Sequence, residues 1–482
     1  MNKSDVLAEL TAIVGPHRVL HRPEDVVMYE YDGALDRARP DFVVFPVSSE
    51  EVAAVVRVAN RAGIPFMPRG AGTGLSGGAV PVEGGVVISF SRMNRILDID
   101  LANLRTTVQP GVVNIDVTNA VSGKGFYYVP DPSSQKACTI GGNIAENSGG
   151  PHCLAYGVTS NHTLMLEAVL PDGDIVQLGA PTADAPGYDL TGLMVGSEGT
   201  LGLVTRAVVR LVHQAETVTT LLAVFNTIDE GSNAVSAIIA DGTIPAALEM
   251  MDNTAIRAVE AAKKCGYPVE AGSVLLIDLE GFKDGLVETA EHIAELCRGC
   301  GATEVRPAKN AVEREKLWSG RKGAFGAMGR LSPSYYVQDG VIPRTKLPWV
   351  LHRVGEIGDK YGFRVANVFH AGDGNLHPLI LFDERDPAQV RNVVRCGSEI
   401  LKVCVEAGGS ISGEHGIGVE KREDMCEQFT GPDLIAMRQV KAAFNPQNLC
   451  NPGKLFPTSK ACYEVGVKHR RLPAIVAEEH ML

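Results

Sequence analysis

Residues 68–78 read Pro-Arg-Gly-Ala-Gly-Thr-Gly-Leu-Ser-Gly-Gly, with five glycines in eleven positions. Such a run leaves backbone N–H groups bare of side chains and lets the chain wrap a phosphate or pyrophosphate closely. It contains a literal G-x-G-x-x-G at Gly72, Gly74 and Gly77. A nicotinamide dinucleotide fingerprint must open a helix whose N-terminus faces the pyrophosphate. Here the chain continues through Ala79-Val-Pro-Val-Glu-Gly-Gly85, which cannot start a long helix, into the strand-like Val86-Val-Ile-Ser-Phe90. Upstream, residues 42–45 read as a buried strand and Ser48-x-x-Glu51 as a capping box. Val52, Val55, Val56 and Ala59 then make one apolar helix face, stopped by Gly63. The loop therefore lies between two strands, downstream of a β-α-β unit, and the nicotinamide reading fails on context.

Two further glycine-rich segments follow. One runs from Asp131-Pro-Ser-Ser134 through Gly141-Gly-Asn-Ile-Ala-Glu-Asn147, the other is Gly196-Ser-Glu-Gly-Thr-Leu-Gly202. Three such loops in one region predict a large, extended ligand touched at several places. Near residue 215 the texture changes. Strand-like runs (221–225, 274–279, 365–369) then alternate with helical ones (231–240, 288–297), as in an α+β domain built on an antiparallel sheet.

The 57 acidic residues outnumber the 45 basic ones, giving a net charge of −12, and no sustained basic stretch offsets it. Nucleic-acid binding is excluded on that ground. The cluster Lys468-His-Arg-Arg471 reads as a solvated piece of tail. No apolar run approaches the ~18 residues a membrane span requires. Asp5 and Glu9 stand where a signal peptide would need an apolar core, so a soluble, cytoplasmic protein is expected. The ten cysteines are expected to be reduced thiols. Cys297-Arg-Gly-Cys300 has no second pair at iron–sulfur or zinc-finger spacing.

The second constellation lies far along the chain. His370-Ala-Gly-Asp-Gly-Asn-Leu-His377 sits between the apolar runs 365–369 and 379–382, and its Gly-Asp-Gly-Asn turn predicts a hairpin with the two histidines opposite each other at its mouth. Downstream, Ser410-Ile-Ser-Gly-Glu-His-Gly-Ile-Gly418 sets Glu414 beside His415. Two histidines and a carboxylate with an open position suit Zn²⁺, Mn²⁺ or Fe²⁺, and the residues do not choose among them. Arg321, in Leu317-Trp-Ser-Gly-Arg-Lys-Gly-Ala-Phe325, is a charged residue in an apolar setting that could grip a carboxylate bidentately.

These blocks resemble the FAD-dependent 2-hydroxy acid dehydrogenases of the vanillyl-alcohol-oxidase type. The segments that carry the resemblance are PRGAGTGLSGG, PDPSSQKACTIGGNIAENSGG, GSEGTLG, Ala246-Ala-Leu-Glu-Met-Met-Asp-Asn253, VANVFHAGDGNLHPLILFD and GGSISGEHGIG, spread from about residue 40 to 455. The resemblance implies an α+β chain. An FAD-binding domain of two α/β subdomains would span 1–215, and an α+β substrate domain on an antiparallel sheet, carrying the metal site, 216–415. A helical segment over 416–456 would return to the flavin domain, and 457–482 would form a tail.

It also implies roles. Pro68, Arg69, Gly70, Ala71, Gly72, Thr73 and Gly74 would cradle the FAD pyrophosphate. Asp131, Ser133, Gly142, Asn143, Asn147, Glu198, Gly202, Val204 and Asn451 would approach the rest of the cofactor. A divalent metal on His370, His377 and Glu414 would hold the α-hydroxyl and a carboxylate oxygen, His415 would act as general base, and Arg321 would hold the carboxylate while hydride passes to the flavin. Thr73 stands where covalent relatives carry a histidine, which implies non-covalent FAD. Relatives acting on 2-hydroxyglutarate serve the distal carboxylate with a threonine four residues after the arginine and a nearby lysine. Here those regions hold Phe325 and Tyr335-Tyr-Val-Gln-Asp339, which favours glycolate or D-lactate. The resemblance thus implies oxidation of glycolate to glyoxylate. Electrons would go to a quinone or to a complex with a second FAD-binding subunit and an iron–sulfur subunit, with any attachment to the inner membrane made through those partners. The alternatives are a D-lactate or D-2-hydroxyglutarate dehydrogenase, or a non-redox FAD-binding subunit.

Overall fold

The computed structural model describes residues 1–182 and 185–458; the expected tail and its basic cluster lie outside the described residues apart from 457 and 458. The first sheet has four strands, Val19–Leu20, Phe42–Val44, Val86–Ser89 and Phe66–Arg69, in that spatial order, and the last three run parallel. Phe42–Val44 and Val86–Ser89 are buried at every position, as continuous apolar strands of parallel sheets are. The expected helix is Ser49–Ala62. Ser48 Oγ accepts from the Glu51 amide at 3.3 Å, and Gly63 closes the far end at φ 63°. The Glu51 carboxylate turns to Arg18 and the Val47 amide, so Ser48 caps the helix without the reciprocal half of a capping box.

A second, five-stranded sheet is wholly antiparallel, in the order Ile96–Asp100, Arg105–Val108, Leu203–Arg210, Thr163–Val169, Ile175–Gly179. Its register shifts between Val204 and Arg206. Bulges of this kind re-aim a side chain beside a site.

From Thr217 the chain builds the larger antiparallel sheet. The strand order is Glu304–Pro307, Thr217–Phe225, Ser273–Gly281, Ala247–Asp252, Arg364–His370, Asn375–Leu376, Gly340–Val341, with Ser334–Val337 pairing to Pro378–Phe382. Helices Ile228–Ala240, Lys283–Gly299, Leu347–Tyr361 and Pro387–Glu406 contribute to one apolar cluster, and Asn253–Lys263 and Ala311–Lys322 to another. After the helix Gly431–Phe444 the chain returns to the first sheet. Cys450 bridges Phe66, and the Asn451 amide donates to the Phe66 carbonyl at 2.7 Å. No helix among the described residues is long and apolar enough to cross a membrane. Cys297, Cys300 and six other described cysteines are free thiols, but Cys426 is in a disulfide, against the expectation of reduced thiols throughout.

Candidate functional site

A cavity of about 360 Å³ is lined by all three glycine-rich segments and, from the later domain, by Lys322, Phe325, His377, Glu414 and His415. The first loop leaves the carboxyl end of Phe66–Arg69, where ligands of parallel sheets bind. Pro68, Gly70, Ala71, Gly72, Thr73 and Gly74 all lie on the wall. The amides of Ala71, Gly72, Thr73 and Gly74 donate to no other backbone group among the described residues. A Cβ on Gly70 would collide with Thr139 Oγ1. A concave loop with free N–H donors and no room for side chains fits a pyrophosphate. Arg69 stands behind it, not on the wall. Its guanidinium donates to the Ala79 carbonyl at 2.9 Å and the Tyr31 carbonyl at 2.8 Å, and Gly72 at φ 70° leaves the space that the guanidinium occupies.

The second segment opens into the helix Ile140–Glu146, capped by Thr139. Ser133, Gly142 and Asn143 reach the cavity. Asn147 closes that helix at φ 55° and accepts from the Ser160 amide at 2.8 Å, so its task is to end the helix. Asp131 also lies off the wall, held 3.1 Å from His152 Nδ1 and 3.2 Å from Lys322 Nζ. In the third segment Glu198, at φ 52°, accepts from the Ile417 and Gly418 amides at 2.7 Å each and so ties the first domain to the His415 loop. Asn451 Nδ2 donates to the Glu198 carbonyl at 2.7 Å and the Gly78 carbonyl at 3.3 Å, joining the first loop to the third. Gly202, Val204 and Asn451 share the wall.

The histidines differ in detail from the expected hairpin. His370 pairs with Asn375 and Asn367 with Pro378, so His377 falls level with residue 368, two positions from His370 along the strand. Side chains two apart share a face, and the two rings still meet edge-on at 5.1 Å between centroids. His370 Nε2 lies 3.2 Å and His377 Nε2 3.4 Å from Glu414 Oε1. One ligand atom from each residue lies within 4.8 Å of the others, and His377 Nε2 is buried. Two imidazole nitrogens and a carboxylate, with His377 Nε2 also 3.4 Å from Asp339 Oδ1, form a donor set that fits Zn²⁺, Mn²⁺ or Fe²⁺. A second grouping, Asp339 with His377 and His415, is less suited, because Asp339 is already occupied as an acceptor.

That occupation explains the shape of the loop. Asp339 is fully buried and accepts from the amides of Gly413, Glu414 and His415 at 3.0, 3.2 and 2.9 Å, from Ser412 Oγ at 2.7 Å and from Lys421 Nζ at 3.3 Å. One carboxylate thus sets the backbone from which Glu414 and His415 project. Burial alone would raise the Glu414 carboxyl, but His370 beside it outweighs this and leaves a pKa of about 2. Burial lowers His415 to about 4. Its ring stacks on His377 at 4.7 Å, and it is neutral at pH 7. The Phe325 ring meets His377 edge-on at 6.0 Å and gives the cavity an apolar wall.

Arg321 is the main departure from expectation. Its guanidinium is 2 % exposed, off the cavity wall, with Nη2 2.5 Å from Glu249 Oε2; Glu249 is itself 1 % exposed. A buried charge requires a partner, and removing one member of such a pair costs about 3–5 kcal/mol. The other Glu249 oxygen lies 2.7 Å from His370 Nδ1. Nδ1–H donating to it would leave Nε2 free to hold an ion, whereas burial, which lowers the His370 pKa, is outweighed by Glu249 and Glu414, one beside each ring nitrogen, which together raise it well above its ordinary value. Glu249, Asp339 and Lys322 were missed from sequence. Glu249 and Asp339 do leave a signal, since each is a lone carboxylate inside an apolar strand-like stretch, Ala-Ala-Leu-Glu-Met-Met and Tyr-Tyr-Val-Gln-Asp.

A glycine-walled cavity continuous with a buried two-histidine, one-carboxylate cluster is an arrangement that suits a flavin-dependent oxidoreductase. The chain belongs to the FAD-linked oxidases: residues 214–455 match the family's C-terminal domain and residues 40–179 the FAD binding domain. It is 47 % identical over 470 residues to the glycolate oxidase subunit GlcD of Escherichia coli K12, covering 97 % of this chain and 94 % of that one. It is 41 % identical over 458 residues to the subunit of that name in Bacillus subtilis, covering 95 % of this chain and 97 % of the relative. It is also 36 % identical to a D-lactate dehydrogenase of Archaeoglobus fulgidus, over 87 % of this chain and 92 % of that one. Among solved structures, p-cresol methylhydroxylase with substrate bound superposes with a TM-score of 0.81 at 15 % identity, over 94 % of this chain and 96 % of that one. The 4-ethylphenol oxidase of Gulosibacter chungangensis gives 0.80 at 19 %, over 94 % and 97 %. At those identities the likeness is one of fold.

Proposed function

We propose that the protein oxidises glycolate to glyoxylate, with non-covalent FAD in the glycine-walled part of the cavity and a divalent ion on His370, His377 and Glu414. The observation that carries this reading is that His415 lines the same cavity wall as His377 and Glu414 of that donor set, where burial lowers its pKa. When bound, FAD supplies a two-electron acceptor and the ion supplies positive charge that lowers the pKa of an α-hydroxyl. His415 takes the hydroxyl proton at an imidazole nitrogen. Asp339 keeps His415 and Glu414 in place through their backbone amides, and Glu249 orients His370. Phe325 closes one side with an apolar ring, which leaves a small substituent at Cα as the best fit and disfavours a distal carboxylate. The glycolate oxidase and D-lactate dehydrogenase relatives support a 2-hydroxy acid substrate.

The E. coli and B. subtilis relatives are named as subunits, and the chain has no cysteine pattern for an iron–sulfur cluster. Both support transfer of electrons to a partner subunit; an iron–sulfur subunit, a second FAD-binding subunit and a cytoplasmic setting complete the reading. Dye-reduction kinetics over glycolate, D-lactate, L-lactate and D-2-hydroxyglutarate test the substrate. The highest kcat/KM is expected on glycolate, and a clear preference for D-2-hydroxyglutarate overturns the reading of Phe325. Acid precipitation tests the cofactor linkage: with Thr73 in the loop, the yellow colour is expected in the supernatant, and a yellow pellet overturns that assignment.

A further inference from the structure

FAD brings a negatively charged pyrophosphate, yet the cavity wall carries three carboxyl groups, Glu146, Glu198 and Glu414. Glu414 belongs to the donor set for an ion. Glu198 is engaged as the acceptor of the Ile417 and Gly418 amides at 2.7 Å each. Glu146 has no such task, and its Oε2 is buried and accepts no hydrogen bond. An ionised carboxylate out of water and without partners is strongly disfavoured, and such a group keeps its proton instead.

The surroundings press in the same direction. Glu146 ends the helix Ile140–Glu146, where the helix dipole disfavours negative charge. Its Oε2 and Glu198 Oε1 converge on one point, because a Cβ on Gly416 would collide with both; the missing side chain is what lets the two carboxyls approach. Carboxyls sharing a site do not both ionise readily. Buried Asp32 adds a third carboxyl, already an acceptor from the Ala34 and Ala79 amides. Two cations face the group, and both have other partners. Lys421 Nζ lies 3.3 Å from Asp339 Oδ2 and donates to the Gly416 carbonyl at 3.2 Å. Lys454 Nζ donates to the Val80 carbonyl at 2.7 Å and to Asn451 Oδ1 at 3.1 Å. Burial first, then Glu198 and Asp32, outweigh these cations and hold the Glu146 pKa well above the ordinary carboxyl value.

We propose that Glu146 is a proton-carrying residue of the cofactor site: kept neutral beside charged Glu198, it removes one negative charge from the wall that meets FAD, so that FAD binding is linked to its protonation. This rests on the assignment of FAD to the glycine-walled cavity made above. The sign follows from linkage. An anion bound beside Glu146 raises its pKa further, so the complex holds the proton more tightly than the free protein does. Affinity is then full below the pKa of the free protein and falls as pH rises through it, by at most about tenfold per pH unit.

Release of FAD from the holoenzyme, read as recovery of free-flavin fluorescence, gives the test. The wild-type Kd is expected to rise by at least about tenfold between about pH 6 and pH 9. E146Q keeps the shape and the neutral charge, so it should match the wild type at the low end of that range and lose most of the rise. Burial brings the neighbouring Lys454 to a pKa of about 8, so a rise that persists unchanged in E146Q belongs to that lysine and overturns the proposal. A wild-type Kd that stays level overturns it too. So does an E146Q protein that binds FAD more tightly than the wild type at the low end, since Glu146 is then charged there. Should E146Q fail to fold, the wild type alone decides. Calorimetric titration of its apoprotein with FAD in buffers of different ionisation heat is expected to show net proton uptake, and a heat independent of the buffer overturns the linkage. If FAD binds with this pH dependence but no 2-hydroxy acid is oxidised, the proposed reaction fails while the role of Glu146 stands. Absence of FAD binding at every pH overturns both.

Discussion

Replacing His415 with alanine will lower dye-linked turnover of glycolate by about 10²–10⁴-fold, the range that a positioned general base contributes. FAD content and the visible flavin spectrum should be unchanged, because His415 belongs to the loop that Asp339 and Glu198 hold by its backbone and not by its ring. The physical case rests on protonation state and placement. An imidazole that accepts a hydroxyl proton must be neutral before the reaction, and burial brings His415 to a pKa of about 4. It must also face the same space as the ligand atoms of His377 and Glu414, and all three lie on the cavity wall. Rapid-reaction measurement of flavin bleaching by glycolate gives the number directly. A His415→Ala enzyme that bleaches its flavin at the wild-type rate removes the assigned base.

Loss of the divalent ion should have an effect of comparable size. Exhaustive chelation of the holoenzyme is expected to reduce turnover by at least about a hundredfold, as befits a Lewis acid that contributes several kcal/mol at the reacting oxygen. Readdition of Zn²⁺, Mn²⁺ or Fe²⁺ should restore it, and the ion that does so best identifies the metal. His377→Ala should reproduce the loss without rescue, since His377 Nε2 is buried 3.4 Å from Glu414 Oε1 and would be one of the ion's ligands. Elemental analysis run beside the assay separates a missing ion from a damaged fold. Full activity in a preparation shown to hold no metal would refute the centre.

The two halves of the site were unequally legible. The loop at 68–78 and the segments around Gly142 and Glu198 could be read as ligand loops because glycine spacing is local: whether a Cβ is present decides whether a backbone can approach a phosphate. His370, His377, Glu414 and His415 could be picked out because each sits in its own glycine-rich turn. Their partners could not. Glu249 lies more than a hundred residues before His370 in the chain, and the 2.7 Å contact between them arises because their strands are neighbours in the large sheet, paired at Glu249 and His370. Asp339 likewise meets the amides of 413–415 because Val341 bridges Ser410 antiparallel and so brings the two distant segments side by side.

Arg321 and Lys322 show the same limit at its sharpest. Both are basic residues at the end of one helix, and composition offers no reason to prefer either. Successive residues on a helix point about 100° apart, so packing of the helix Ala311–Lys322 against the sheet sends one side chain to a buried carboxylate and its neighbour to the cavity. The sequence alone determined that the chain binds an extended cofactor through glycine-lined backbone, and it named the histidines and the glutamate able to hold an ion. Only the tertiary structure decided which carboxylates meet them and which of two adjacent basic side chains lines the cavity. Those contacts are set by strand register and helix rotation, which short-range patterns of residue type do not encode.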